Sequence, residues 1–94
     1  MDEPQKARVF DVVAELAAAP EFGDVELARV SRDTHFINDL NFDSLQTVEF
    51  IMALEDRLHV TVPDAQAREL LTVGQVVDHV VRQLDEREQR EAGA

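Results

Sequence analysis

Between Leu45 and Leu58 the apolar residues Leu45, Val48, Ile51, Met52 and Leu58 recur at helical spacing, and Phe50 and Leu54 widen their arc. That arc is broader than the stripe of a helix lying on a protein surface. Such a helix must be covered by several others, or must line a cavity or a docking surface. The 94 residues suffice for one small domain, near the lower end of what folds on a single core. The chain has no cysteine, so neither a disulfide framework nor a thiolate metal site is available. Packing alone must hold the fold.

The partners of that helix are legible on both sides. Residues Pro4 to Ala19 read as a first helix, with Val9, Val12, Val13, Leu16 and Ala17 as its stripe and Phe10 broadening it. Pro4 suits a first helical turn, and Asp2 and Glu3 are placed to cap it and oppose its dipole. Pro20 and Gly23 end it. A long connection follows to Asp43, with Phe22, Val25, Leu27, Val30, Phe36, Ile37 and Leu40 available to pin it to the core. Asp24 is a cap for a short turn through Val25 to Ala28.

The second helix is expected over Ser44 to Leu58. His59 to Pro63 is extended and β-branched, yet nothing else in the chain offers it a strand partner. Asp64 opens a short helix to about Leu70, and Thr72 caps a last helix striped by Val73, Val76, Val77, Val80, Val81 and Leu84. So many valines lower intrinsic helicity, so packing must hold this helix. The expected fold is all-α: a small four-helix bundle of three main helices plus one short one, with a long loop between the first two. Residues 1–84 form the domain, and 85–94 are a charged extension of the last helix or a frayed tail.

The formal charge of −11 argues against nucleic acid, whose binding needs clustered Lys and Arg. With no Trp or Tyr there is also no stacking platform for bases. Acidity favours partners with basic patches. No apolar run approaches the roughly 20 residues of a membrane span, and the N-terminus lacks the basic and apolar regions of a signal peptide. A soluble, cytoplasmic monomer is expected.

One hydroxyl stands apart. Ser44 sits where a loop becomes a helix, within Asp39-Leu40-Asn41-Phe42-Asp43-Ser44-Leu45. As a nucleophile it would need a base and a group to orient that base, and none of His35, His59 and His79 forms a local motif with it. As a helix cap it is a good residue, although the capping box would want Glu or Gln at position 47, which is Thr47; Gln46 falls one residue short. No metal-ligand spacing occurs.

The blocks Asp39 to Glu49, Met52-Ala53-Leu54-Glu55, Val62-Pro63-Asp64 and Thr72-Val73 are in order and spacing similar to the acyl carrier protein family, from about Thr34 to Leu84. The resemblance implies that Ser44, flanked by Asp43 and Leu45, receives a covalent 4′-phosphopantetheine arm from coenzyme A through a phosphopantetheinyl transferase. It implies a carrier of thioesters and not an enzyme: the arm supplies the thiol that the chain lacks, and no base for Ser44 is needed. It also implies that Asp43, Leu45, Glu49, Met52, Glu55 and Asp56 meet basic docking patches on acyl-transferring or synthase enzymes. Phe50, Ile51 and Leu54 are suited to lining an acyl-chain cavity, with plain core packing the competing reading.

Several residues depart from the family pattern. Asn41 stands where glycine is usual, and asparagine tolerates positive φ next best, so the turn is expected to survive. Phe42 replaces a smaller residue and is expected to alter the surface around the arm. Gln46, Arg57, Ala65, Gln66 and Arg68 fall where fatty-acid carriers are frequently acidic, and the loop before the motif is longer. These departures point to a specialised fatty-acid-like or polyketide-like pathway. An aminoacyl or peptidyl carrier, an unmodified helical adaptor, and remotely a serine-dependent enzyme are the alternatives.

Overall fold

The computed structural model describes the backbone of residues 3–93 and the side chains of residues 5–87. Four α-helices follow in order: α1 (Glu3–Ala18), α2 (Ser44–Leu58), α3 (Asp64–Ala67) and α4 (Val73–Gly93), with a 3₁₀ turn at Leu27–Arg29. The fold is the all-α bundle expected, and α2 has the bounds the sequence predicts. The capping role expected of Asp2 and Glu3 lies outside the described residues. The short helix is briefer than expected, ending at Ala67 instead of Leu70.

Helix α1 packs chiefly on α4 and secondarily on α2. Val9, Val13, Ala14 and Ala17 of α1 meet the valine stripe of α4, whose Val73, Val76, Val77, Val80 and Val81 are fully buried. The low helix propensity of those valines is offset by the apolar surface they remove from water, about 1.5–3 kcal/mol for each fully buried side chain. The chain leaves α1 by a tight reversal in which the Gly23 N–H donates to the Ala17 carbonyl at 3.0 Å. A Cβ at Gly23 would stand 2.4 Å from that oxygen, so only glycine permits this approach.

The long loop is held by a cluster of four of the five phenylalanines. Phe36 and Phe42 stack at 5.8 Å, Phe36 lies 5.0 Å from Phe50 of α2, and Phe22 meets Phe50 edge-on at 5.7 Å. Phe42 is only 3% exposed. It is therefore a core residue, not the modifier of the surface around Ser44 that the sequence suggested. Asp24 adopts φ 50° and caps nothing; the 3₁₀ turn begins after Glu26 without a side-chain cap.

Polar side chains tie the irregular segments down over long sequence distances. Arg32 in the loop donates to Asp78 of α4 at 2.8 Å, and Lys6 of α1 approaches the same carboxylate at 3.5 Å. Burial pushes the Asp78 carboxyl upward, but the Arg32 hydrogen bond and the charges of Arg32 and Lys6 outweigh it and hold it below its usual value. His35 and Thr72 form an isolated antiparallel bridge, the one departure from helix and loop among the described residues.

His59, expected to be extended, is instead the left-handed C-cap of α2 at φ 54°, and Val60 to Pro63 pair with no strand among the described residues. Side chains serve instead. Gln83 of α4 accepts from the Thr61 N–H at 2.8 Å and donates to the Thr61 carbonyl at 2.7 Å, while Arg87 donates to the His59 carbonyl at 2.7 Å. Val60 and Val62 turn into the core.

Candidate functional site

The N-terminus of α2 is fixed by Asp43, not by Ser44. The Gln46 N–H donates to Asp43 Oδ1 at 2.7 Å, and the Asp43 N–H donates back to Gln46 Oε1 at 3.2 Å, completing a capping box. The Thr47 hydroxyl adds a bond to the Asp43 carbonyl at 2.9 Å. The expected cap at Ser44 is thus corrected by one residue. An aspartate at the cap brings a full negative charge to the positive end of the helix, which serine cannot do, and Gln46 then falls at the third helical position where the box requires it.

This register has a chemical consequence. Ser44 occupies the first turn of α2, exposed, and no hydrogen bond engages its hydroxyl among the described residues. The preceding turn is set by Asn41 at φ 59°, the left-handed conformation that asparagine tolerates, so the turn survives without glycine.

Ser44 opens onto a cleft of about 490 Å³. Thr47 and Val48 of α2 form one wall, and Asp64, Ala67 and Arg68 of the α3 segment face them. Phe36, Ile37, Leu70 and Leu71 close the rest. Phe50, Ile51 and Leu54, expected either to line a cavity or to pack the core, are in the core with at most 5% exposure and do not line this cleft. Apart from Ser44, none of the lining residues was foreseen as such, among them Val48, Ile37, Leu71 and Arg68. Val48 shares the helical period of the core residues, so spacing alone could not separate it from them.

The wide apolar arc of α2 thus divides into two faces. Phe50, Ile51 and Leu54 are buried, whereas Leu45, Val48 and Met52 are 66%, 55% and 58% exposed. Glu49 and Asp56 lie exposed on the same helix, so acid and apolar groups alternate along it. Asp43 is exposed but committed to its cap. Glu55 is half-buried, and its carboxylate accepts from the Val62 N–H at 2.7 Å, a bond that fixes the turn into α3.

No histidine lines the cleft. His35 spends Nδ1 accepting from the Ile37 and Asn38 amides at 3.2 and 3.1 Å, and His59 stands at the opposite end of α2, in a left-handed cap. Among the described residues, then, no histidine stands in the cleft to act as a base toward Ser44. Among the described residues no cluster of potential metal ligands occurs, and no helix is long and apolar enough to cross a membrane. The site nonetheless suits a phosphopantetheine group: a free, exposed hydroxyl stands at a helix N-terminus that favours a phosphodiester, beside a largely apolar cleft.

Comparison with known proteins agrees with this geometry. The family described as "Phosphopantetheine attachment site" matches residues 9–80. The acyl carrier protein of Porphyromonas gingivalis is 38% identical over 84 residues, covering 89% of this chain and 99% of that protein. The acyl carrier protein of Helicobacter pylori is 42% identical over 57 residues, 61% of this chain and 73% of its own. Among solved structures, the acyl carrier protein from Enterococcus faecalis superposes with a TM-score of 0.71 at 32% identity, covering 83% of this chain and 96% of that one.

Proposed function

Because the chain belongs to the acyl carrier protein family, whose members bear a covalent 4′-phosphopantetheine and carry acyl groups without catalysing their chemistry, we propose that Ser44 is its attachment residue and that it serves a specialised fatty-acid-like or polyketide-like pathway. The observation that carries the assignment is the exposed Ser44 hydroxyl, left without a protein partner because Asp43 caps the helix. When bound, the arm supplies the thiol for thioester linkage. The chain's own part is to present the hydroxyl to a transferase, to hold the helix start rigid, and to offer the cleft beside it.

The proposed docking surface for the transferase and for acyl-transferring or synthase enzymes is the exposed side of α2. Leu45 and Met52 supply apolar contact there, and Asp43, Glu49 and Asp56 supply charge for basic patches. Glu55 contributes mainly by shaping the α2–α3 turn, since its carboxylate is already engaged. The specialised pathway is supported by Arg57, Ala65, Gln66 and Arg68, which make the α3 side less acidic. We place the carrier unit at residues 1–84, with 85–94 a charged extension of the last helix or a frayed tail, and expect a cytoplasmic monomer.

Incubation with coenzyme A and a broad-specificity phosphopantetheinyl transferase, followed by intact-mass measurement, tests the assignment. A mass gain on the wild type that disappears in Ser44→Ala is expected. No gain, or an equal gain on the variant, overturns it.

A further inference from the structure

Arg68 is the cation of the cleft into which Ser44 opens, and it forms no ion pair among the described residues. Asp64, four residues earlier and lining the same cleft, is a candidate partner for it, yet the two are not joined. The surroundings are otherwise hostile to a new anion at Ser44. Asp43 places a carboxylate immediately before it, Asp64 lines the same cleft, and the chain as a whole carries a formal −11. A phosphodiester at this point meets like charge from its own protein, relieved by the α2 N-terminus and by the one cationic side chain lining the cleft.

We propose that Arg68 holds the phosphodiester of the arm on Ser44 against the α3 wall, so that the arm rests in the cleft between encounters with partner enzymes. This rests on the attachment of that arm to Ser44. Covalent tethering makes the pairing intramolecular, with an effective concentration on the order of mM for a short linker, so a contact too weak to recruit a free anion is well populated here. A guanidinium suits the role because its planar fork can offer two donors to phosphate oxygens. Arg68 is exposed, so it keeps freedom to release the arm when a partner's basic patch competes for the same phosphate. It is a positioning residue: it takes no part in bond making at Ser44.

The test compares apo and holo forms of the wild type and of Arg68→Gln, each verified by intact mass. At low salt the holo wild type should melt roughly 1–6 °C above the apo form, as a surface ion pair in a domain this small implies. In Arg68→Gln the rise should shrink by more than half. Asp64→Asn, which removes the competing carboxylate, should enlarge it, and Arg82→Gln on α4 should leave it unchanged. The Arg68 Nε–Hε NMR signal should move on arm attachment and return toward its apo position in high salt.

A rise retained by half or more in Arg68→Gln, or an Arg68 signal identical in apo and holo protein, overturns the proposal. A signal that moves only when a carboxylate-bearing acyl group is loaded also overturns it, since Arg68 would then read the cargo. Failure of the mass gain itself would instead sink the attachment at Ser44.

Discussion

Replacing Asp43 by alanine removes the carboxylate that accepts from the Gln46 N–H at 2.7 Å and leaves the Gln46 side chain bonded to a backbone no longer held in place. Loss of a helix N-cap costs about 0.5–2 kcal/mol, and the charge of aspartate toward the helix dipole puts this site in the upper half of that range. For a domain of this size each kcal/mol moves the Tm by roughly 4–8 °C, so a fall of about 5–15 °C is expected in a thermal melt followed by circular dichroism. Ser44→Ala removes a hydroxyl that has no hydrogen-bond partner among the described residues, at a position where alanine is a better helix former, and should stay within about 0.5 kcal/mol of wild type. Asp43→Asn, which keeps an acceptor but not the charge, should fall between. If Ser44→Ala proved the more destabilising of the two alanine variants, the cap would lie at Ser44 and the reasoning that frees its hydroxyl would fail.

Glu55→Ala leaves the part-buried Val62 N–H without its acceptor and should cost about 1–3 kcal/mol in urea denaturation, whereas Glu49→Ala should fall within about 0.5 kcal/mol; equal losses would refute the structural role given to Glu55. Asp78 has its folded pKa below its ordinary 3.8, so the stabilisation from Arg32 and Lys6 is fully present above that value and is lost as pH falls through the lower folded value. The stability gap between wild type and Asp78→Asn should therefore be constant from neutral pH to about 5 and close below 3.8, and because the carboxylate is 44% exposed it should not exceed about 1 kcal/mol; a gap that widens in acid would contradict this sign. Charge reversal at Glu49 and Asp56 together should slow the transferase at low salt and much less at high salt, and rates unchanged in both conditions would remove the acidic side of α2 from the docking surface.

How far the sequence carries can be seen along α2. Its bounds follow from the motif at Ser44 and the end of the apolar period at Leu58, and the cap at Thr72 is recovered, with its hydroxyl accepting from the Gln75 N–H at 3.2 Å. What periodicity does not supply is phase. When apolar residues cover a wide arc, either flank can face the core, and Val48 and Met52 fell outward while Phe50 and Leu54 fell inward. The position of the cap was obscured by adjacent Asp43 and Ser44, both good capping residues one step apart; only the reach of Gln46 chooses between them. Glu55 shows a different limit. Its helical spacing matches a solvated acid, and its bond to Val62 depends on where the chain turns after α2, which no local pattern records.

The two walls of the cleft differ in mechanical character. On one side, rings from three points of the long loop lock onto Phe50, so α2 and the loop form a single stiff jaw. On the other, α3 is four residues long, has no side-chain cap and buries none of its residues. Ala67 and Leu70 pack against the core only in part, so the α3 side is the less firmly held of the two. If Ser44 carries the proposed arm, a bulky occupant of the cleft would press on this lightly anchored segment rather than on the ring-locked one. Ser44 itself stands at the start of the helix that the rings hold in place.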